Sequence, residues 1–404
     1  MKQNSTLILG GGASGLAAAI VAARRGERVT LLERGDRVGK KLLATGNGRC
    51  NLANLGAPVY YGDADFAARV FRHMSVTRVL SFFDEIGLPT RPDAAGRVYP
   101  ACNQAAAVLD VLRAQLDALN VRTVLQAEVR SLRPLKTGWQ AETAQGPFTA
   151  DRVIVCCGGL AAPKLGAANA YNLLKDLDCR LIPPLPALSP LETEKEAVKG
   201  LSGLRLAATL TLCDEGTPIS ASQGEALFTD YGVSGVCAMQ LARDAQQLLK
   251  QKKQPMLCMD FSPALGIGNF RMARVTPAVP GANEAETRAW LERRAALPGD
   301  DPLLGALPRV LREKLRKYPV RDLPRLLCAY PLRITGVRGF DQAQVTQGGI
   351  DPADFDPATM AHIRLPGLHA CGEILNVDGD CGGYNLQFAF ATGLLAGANG
   401  ADCL

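Results

Sequence analysis

The feature that most constrains the fold of this chain is a glycine-rich turn close to its first residue. Before the turn, residues 5–9 form a short apolar run typical of a buried strand, and after it residues 16–25 form an alanine-rich segment typical of a helix. A second strand is predicted over residues 28–33. The three glycines of the turn fit the pattern G-x-G-x-x-G and are Gly10, Gly12 and Gly15. This order of elements predicts a βαβ unit with two parallel strands.

The turn has the residues that a bound dinucleotide requires. Glycines let the backbone approach a pyrophosphate closely, and the following helix offers free N–H groups and the positive end of its dipole. Glu33 ends the second strand 18 residues after Gly15, where a carboxylate can bind ribose hydroxyl groups. The acidic side chain disfavours a 2′-phosphate, although the adjacent Arg34 weakens that exclusion. The start of the chain is therefore predicted to bind a dinucleotide.

The composition of the chain changes at residues 181–186. The sequence Leu-Ile-Pro-Pro-Leu-Pro is too rich in proline for a helix or a central strand, and a mixed pattern of helices and strands follows it. Strand-like segments that run into glycines return at 344–349 and 367–373, and residues 385–398 are predicted to form a last helix. The two ends of the chain therefore resemble each other more than either resembles the middle.

A chain of 404 residues is long enough for more than one domain. We predict an α/β fold in which residues 1–190 plus 336–404 form one discontinuous, Rossmann-like dinucleotide-binding domain. Residues 191–335 are predicted to form an inserted α+β domain that contributes to the substrate site. Apolar residues of this middle region are suited to cover a bulky hydrophobic substrate, and they are Leu204, Leu206, Phe228, Tyr231 and Val233.

The composition argues against several other classes of protein. No run of about 18 apolar residues and no leader-like cleavage site is seen, so a cytoplasmic protein without a membrane-inserted segment is expected. The twelve cysteines form no CxxC pair and there are only three histidines, so no metal site is expected. Cys156 and Cys157 are adjacent in a predicted strand, where neighbours face opposite ways, so buried thiols are favoured over a redox dithiol. The net charge of +6 is spread along the chain, which argues against a nucleic-acid partner.

Two further loops have the composition of a cofactor site. Residues 39–51 combine small residues with Thr, Asn and Arg donors that can line a flavin ring and a diphosphate, although a surface loop with an Asn-Gly turn has the same composition. Residues 372–387 contain a carboxylate, a double glycine and a predicted helix start. Amide groups at such a helix start can face the O2/N1 edge of a flavin, which gains negative charge on reduction.

These motifs resemble a known family. The first 51 residues are similar to flavoproteins with two dinucleotide-binding domains, in which FAD lies across the fold. The combination of segments 45–51, 229–235, 345–349 and 382–387 resembles the narrower YhiN-like, or aminoacetone oxidase-like, family of bacterial FAD-binding flavoproteins, which also includes a 3-dehydro-bile-acid reductase. The chain departs from the family at Asp230, where members often carry His. A proton-transfer role at that position is therefore in doubt.

The resemblance implies FAD as the cofactor and assigns residues to its binding, but it assigns no catalytic residue. The residues expected to bind FAD are Gly10, Gly12, Ala13, Ser14, Gly15, Glu33, Arg34, Lys40, Lys41, Thr45, Gly46, Asn47, Gly48, Asn51, Gly158, Gly372, Glu373, Gly383, Asn385, Leu386 and Gln387.

The function expected from the residues and the resemblance is that of an FAD-dependent oxidoreductase acting on a small molecule. Because only one dinucleotide fingerprint is present, NAD(P)H is expected to bind transiently as an electron donor. An NAD(P)H-dependent reductase of an activated C=C bond in a hydrophobic, 3-dehydro-bile-acid-like substrate is favoured. An amine oxidase of the aminoacetone type that uses oxygen is the alternative. An RNA-associated flavoprotein is the alternative from another class.

Overall fold

The computed structural model describes residues 4–165, 170–268, 270–297 and 301–400. The chain divides into two units. Met1–Leu185 and Val345–Leu404 form the first unit, and Pro186–Gln344 form the second. The first unit is therefore built from both ends of the chain. The dinucleotide-binding and substrate roles expected for the two domains remain predictions.

The elements of both units are numbered in chain order. The strands are β1 (Ser5–Leu9), β2 (Arg28–Leu32), β3 (Ala53–Asn54), β4 (Tyr60–Gly62), β5 (Thr90–Pro92), β6 (Arg97–Pro100), β7 (Arg122–Val124), β8 (Val129–Pro134), β9 (Trp139–Thr143), β10 (Gly146–Ala150), β11 (Arg152–Val155), β12 (Leu181–Ala187), β13 (Leu191–Thr193), β14 (Arg205–Asp214), β15 (Thr217–Phe228), β16 (Gly232–Ser234), β17 (Met256–Asp260), β18 (Ala273–Val275), β19 (Tyr330–Val337), β20 (Val345–Ile350), β21 (Leu368–Ala370) and β22 (Val377–Gly379). The α-helices are α1 (Ala13–Arg24), α2 (Lys40–Ala44), α3 (Ala64–His73), α4 (Val76–Glu85), α5 (Ala105–Ala118), α6 (Asn172–Lys175), α7 (Lys195–Val198), α8 (Val236–Met239), α9 (Ala242–Lys250), α10 (Glu284–Ala295), α11 (Arg309–Leu315), α12 (Leu323–Cys328) and α13 (Tyr384–Ala398).

A five-stranded parallel sheet forms the centre of the first unit. Its strand order is β21-β11-β1-β2-β7, so β1 lies in the middle and the C-terminal strand β21 lies at one edge. All five residues of β1 are buried, as expected for a parallel strand that is covered on both faces. The predicted α/β Rossmann-like fold is therefore confirmed, and β21 of the C-terminal segment belongs to the same sheet as β1.

Helices α1 and α13 pack against each other through glycine. A Cβ atom on Gly393 of α13 would lie 2.4 Å from the carbonyl oxygen of Ser14, and one on Gly397 would lie 2.6 Å from that of Ala18. Only glycine allows two helix backbones to approach so closely. The contact brings the first residues of α1, which follow the glycine turn, next to the last helix of the chain.

The second unit is a closed antiparallel barrel with helices. The strand order is β14-β17-β19-β13-β16-β15, and pairing of β14 with β15 closes the ring. Strand β18 pairs with residues 221–223 of β15, away from the residues that pair with β16. Its core is separate from that of the first unit and contains Leu206, Phe228 and Val233. These three side chains are therefore buried in the core of the unit, and the role in covering a substrate that the sequence suggested for them stays a prediction. Leu204 and Tyr231 are half-buried.

Candidate functional site

The glycine turn between β1 and α1 leaves an open space beside its middle glycine. Gly10 has a φ of +104°, and a Cβ atom there would lie 2.6 Å from the carbonyl oxygen of Cys156. A Cβ atom on Gly15 would lie 1.9 Å from the carbonyl oxygen of Gly10, so both glycines are required by the fold itself. By contrast, a Cβ atom on Gly12 would meet nothing within 4 Å. The fold therefore does not fill the space in which a pyrophosphate would approach the start of α1.

The carboxylate of Glu33 is held in place by main-chain donors. The N–H group of Gly11 donates to Oε2 at 2.8 Å, and that of Gly35 donates to Oε1 at 2.6 Å. Each carboxylate oxygen can accept a second hydrogen bond, so the ribose hydroxyls of a dinucleotide remain possible partners. Arg34 forms an ion pair of 3.5 Å with Glu128. A cleft of about 520 Å³, a volume that includes its part open to solvent, is lined by both of these residues and by Glu33 and Val129.

The loop after β2 places an unpaired acceptor at the site. Thr45 uses its hydroxyl to donate to the carbonyl oxygen of Leu42 at 2.6 Å, and residues 46–48 have left-handed backbone conformations. Asn51 is buried, and its Oδ1 atom has no hydrogen-bond partner among the described residues. Because a buried polar atom normally has a partner, this amide fits the edge of a bound group with a donor. The side chain of Lys40 forms an ion pair with Asp36.

An ion pair joins the loop after β2 to the C-terminal segment. Lys41 Nζ lies 2.7 Å from Glu373 Oε2, although 332 residues separate the two in the sequence. The other oxygen of Glu373 accepts from the N–H group of Thr346 at 2.8 Å. A Cβ atom on Gly158 would lie 4.0 Å from Glu373 Oε2, so the glycine after β11 lies beside this pair. Gly372 lies against α1, since a Cβ atom there would be 2.6 Å from Ser14 Oγ.

At the start of α13 the polar side chains form hydrogen bonds within the protein, whereas the first main-chain N–H groups stay available to a ligand. Asn385 accepts from the N–H group of Gly379 at 2.8 Å and donates to the carbonyl oxygen of Gly379 at 2.7 Å. Gln387 Oε1 is buried and accepts from the N–H group of Asn54 at 2.8 Å. The helix follows Gly383, which has a φ of +107° and provides no side-chain cap. The first N–H groups of α13 are therefore the donors that the helix offers to a ligand.

The structure thus brings together the expected residues of the two glycine-rich regions, but it gives several of them internal roles. Lys40, Asn385 and Gln387 are engaged with the protein, whereas Gly12 and Asn51 face space or lack a partner. Whether these residues bind a cofactor stays a prediction.

Three residues near this site were missed in the sequence. Thr346 Oγ1 accepts from the N–H groups of Leu160 and Ala161 at 2.8 and 3.0 Å and so fixes the loop after β11. Asn54 donates through Nδ2 to the carbonyl oxygen of Gly382 at 2.7 Å. Tyr171 has a buried hydroxyl without a partner in the described residues, and burial together with the Glu373 charge raises the pKa of its phenol. Only Thr346 had a sequence signal, because it precedes Gly348 and Gly349.

The thiol of Cys156 lies next to that of Cys371, which is distant in the sequence. The two Sγ atoms are 3.2 Å apart, at the ends of adjacent strands β11 and β21, and both residues are buried. Burial raises the pKa of Cys156 well above its usual value. Burial also raises the pKa of Cys157, to about 12. Since the thiolate is the reactive form, Cys156 and Cys157 are chemically protected at neutral pH, and Cys371 is shielded by its burial.

This protection predicts the pattern of alkylation. With iodoacetamide under native conditions at pH 8, Cys102, whose side chain is exposed, is expected to react fully while Cys156 and Cys371 stay unmodified, because both are buried and the reagent cannot reach them. Peptide mass spectrometry before and after unfolding measures both. Rapid native labelling of Cys156 or Cys371 would contradict the description of this pair as buried thiols.

None of the helices in the part of the chain that the structure describes has the length and apolar character needed to span a bilayer. Nor do three or more His, Cys, Asp or Glu side chains in that part of the chain group as metal ligands would.

Comparison with known proteins gives whole-length matches. The model of a family described as the HI0933-like protein Rossmann domain matches residues 4–399. The 3-dehydro-bile acid delta(4,6)-reductase of Clostridium scindens is 35% identical over 99% of this chain and 100% of its own length. The ribosomal RNA dihydrouridine synthase of Escherichia coli is 26% identical over 97% of this chain and 96% of its own. The solved 3-ketosteroid-delta4-(5alpha)-dehydrogenase of Rhodococcus jostii is 16% identical, with a TM-score of 0.49 and coverage of 99% and 97%.

Proposed function

The chain belongs to the HI0933-like Rossmann-domain family, and from this premise we propose that it is an NAD(P)H-dependent reductase of C=C bonds conjugated to a carbonyl group. It is an FAD-dependent oxidoreductase. The observation that supports the finer proposal is the 35% identity, over the whole chain, to a 3-dehydro-bile acid delta(4,6)-reductase. By analogy with that relative, the substrate class is a hydrophobic, steroid-like enone.

The residues of the first unit fit FAD. The open space beside Gly12 would admit the pyrophosphate, Glu33 would bind the ribose of the adenosine half, and the unpaired Asn51 amide would meet the flavin half. When bound and reduced, FAD supplies a hydride. The protein's own contribution is to hold the Lys41–Glu373 ion pair and the first amides of α13 beside the cofactor, where they act on its charge.

The proposal that a nicotinamide is the electron donor is tested by mixing the oxidised protein with NADH or NADPH in the absence of oxygen. Bleaching of the flavin within the time of a turnover supports the reductase. The alternative oxidase requires that aminoacetone bleaches the flavin and that oxygen then yields hydrogen peroxide. Bleaching by aminoacetone, with no bleaching by either nicotinamide, would refute the proposal.

A second candidate function is the reduction of uridine in RNA. Two ribosomal RNA dihydrouridine synthases, from Escherichia coli and Haemophilus influenzae, are 26% and 25% identical to this chain over 97% of its length. The chemistry is related, because the names of both kinds of relative describe the addition of hydrogen to a double bond, and the C=C bond of uracil is also conjugated to a carbonyl.

Residues 312–321 contain five basic side chains and are the segment with which an RNA could interact, but several of these cations are already bound to the protein. Arg312 and Arg316 both bind Asp301. The Lys314 ammonium group donates to the carbonyl oxygens of Glu196 and Lys199, at 3.0 and 3.2 Å. Binding of a uridine-containing RNA that weakens steeply with salt, followed by formation of dihydrouridine, would favour this second function.

The helix start at α13 predicts an effect on the flavin potential. Leu386 is the third residue of α13, where proline is tolerated but removes one unpaired N–H donor. A helix terminus contributes up to about 2 kcal/mol in partly buried geometry, and about 1.4 kcal/mol corresponds to about 30 mV for a two-electron couple. Leu386→Pro is therefore expected to lower the midpoint potential by tens of millivolts, because reduced flavin loses a stabilising donor.

Potentiometric titration of FAD-loaded protein measures this effect. Leu386→Ala is the matched control, since it removes the same side chain and keeps the N–H group, and its potential should equal that of the unmodified protein. An unchanged midpoint in a proline variant that still holds one FAD per chain would show that α13 has no electrostatic role.

A further inference from the structure

The small sheet of β3, β6 and β5 in the first unit carries arginine residues on one face. Arg91 of β5 lies directly opposite Tyr99 of β6. Asn54 of β3 lies directly opposite Arg97 of β6. Opposite residues of antiparallel strands share a face of the sheet, as do alternate residues of one strand. These four residues therefore lie on the same face.

Tyr99 also brings a third arginine to this face. The tyrosine is buried, and Cζ of Arg49 lies 4.8 Å from the centre of its ring. Arg49 Nε donates to the carbonyl oxygen of Gly46 at 3.3 Å, and a Cβ atom on Gly46 would lie 3.7 Å from Cε1 of Tyr99. The ring and the carbonyl oxygen fix the guanidinium group of Arg49, but neither neutralises its charge.

Two of the three arginines have no carboxylate to balance them. Arg97 Nε lies 2.8 Å from Asp93 Oδ2, so this cation is paired. Arg49 and Arg91 are exposed, and neither guanidinium group binds a carboxylate among the residues that the structure describes. An arginine presents paired N–H donors that match the oxygens of a phosphate or a carboxylate. The face is therefore suited to an oxyanion.

This face adjoins residues that are expected to bind FAD. Asn54 donates through Nδ2 to the carbonyl oxygen of Gly382, two residues before α13. Gly46, which lies against Tyr99, belongs to the loop after β2. None of the residues of this face lines the cleft beside Glu33. An oxyanion bound here would thus lie near the loop after β2 and the start of α13, separate from that cleft.

We propose that Arg49 and Arg91 form a binding site for an oxyanion, a phosphate or a carboxylate, of a molecule that exchanges electrons with FAD. This inference rests on the proposed function, which requires two such molecules. The nicotinamide dinucleotide carries a diphosphate, and a steroid-like enone can carry a carboxylate. The two arginines bind the charged group of one of them, and a neutral reactant gains nothing from the site.

Equilibrium binding to the oxidised, FAD-loaded protein tests the site without turnover. Isothermal titration calorimetry measures the binding of NADP⁺, NAD⁺ and 3-oxochol-4-en-24-oic acid, with 4-androstene-3,17-dione as the neutral control ligand. In a protein with both Arg49→Met and Arg91→Met, the dissociation constant of at least one anionic ligand is expected to rise by about tenfold or more, because charge-assisted hydrogen bonds are lost. Binding of 4-androstene-3,17-dione should not change.

The ligands distinguish the sources of the anion. An effect on NADP⁺ alone would identify its 2′-phosphate, and equal effects on NADP⁺ and NAD⁺ would identify the diphosphate. An effect on the steroid acid alone would identify the carboxylate. Added salt should weaken binding of the affected ligand to the unmodified protein more than to the double variant, since exposed charges are screened. Arg133→Met, at an exposed arginine of β8, is the matched control and should bind all four ligands normally.

Failure of this inference is distinguishable from failure of the proposed function. If neither nicotinamide reduces the flavin, the proposed function falls, whatever the binding titrations show. If the reductase is active and the double variant binds every anion as tightly as the unmodified protein, only the assignment of Arg49 and Arg91 is wrong. That assignment is also overturned if none of the three anions binds the unmodified protein, or if 4-androstene-3,17-dione is weakened equally. A double variant that holds FAD less tightly but, once loaded, binds the anions normally would instead assign the arginines to the cofactor.

Discussion

A Gly12→Val variant is expected to fold and to purify with little or no FAD. The valine side chain would enter the space beside Gly12, in which the fold places nothing within 4 Å of a Cβ atom, and it would therefore collide with the pyrophosphate and not with the protein. Overlap between packed groups costs about 1–3 kcal/mol or more, and each 1.4 kcal/mol is about tenfold in affinity. FAD should therefore bind at least about tenfold more weakly.

Mass analysis of the flavin released from the denatured protein measures this loss, and a thermal melt of FAD-free protein measures the fold. Gly12 is the N-cap residue of α1, and glycine is a better N-cap residue than valine, so the unfolding free energy should fall by about 1 kcal/mol. Gly15→Ala gives the opposite pattern, since its Cβ atom would lie 1.9 Å from the carbonyl oxygen of Gly10 and damage the fold itself. A Gly12→Val protein that retains one FAD per chain would contradict this description of the turn.

Gly393→Ala is expected to destabilise the first unit even though alanine favours helices. In an exposed helix the change would stabilise by up to about 1 kcal/mol. Here the new Cβ atom would lie 2.4 Å from the carbonyl oxygen of Ser14, so α1 and α13 must separate. Such overpacking costs about 1–3 kcal/mol. Because Gly372 and the first residues of α1 lie at the same contact, FAD should also bind more weakly.

Urea unfolding of FAD-free proteins tests this expectation without interference from the cofactor. Ala114→Gly, at an exposed position of α5, is the control for helix propensity, and it should destabilise by up to about 1 kcal/mol. Destabilisation by Gly393→Ala, where the propensity change has the opposite sign, would confirm the close contact. A neutral or stabilising effect would mean that the helices are not as close as described.

The elements of the first βαβ unit were predictable because their signals are local. The expected strand at residues 5–9 is β1, and the expected helix at 16–25 lies within one turn of α1 (Ala13–Arg24). Alternating or continuous apolar runs, bounded by glycine, depend only on neighbours in the chain. The same holds for the last helix, which was expected at 385–398 and begins one residue earlier.

Long-range contacts explain what the sequence could not predict at the site. The Lys41–Glu373 ion pair joins residues 332 positions apart, and the hydrogen bond from Asn54 to Gln387 joins residues 333 positions apart. Local patterns placed Lys41, Glu373 and Gln387 in candidate loops, but they do not show which residues meet across such separations. Phe228 and Val233 lie in the core of the second unit, and hydrophobicity alone does not distinguish such core residues from the wall of a ligand site.

The most direct test of the proposed reductase is a single anaerobic turnover. The protein is reduced with one equivalent of NADPH or NADH and then mixed with 4-androstene-3,17-dione, while flavin absorbance and the mass of the steroid are followed. We expect the flavin to be reoxidised and the steroid to gain two hydrogens, with its C=C bond saturated and its carbonyl groups intact. Flavin that stays reduced in the presence of this enone and of cyclohex-2-enone, but is reoxidised by oxygen after reduction by aminoacetone, would contradict the account.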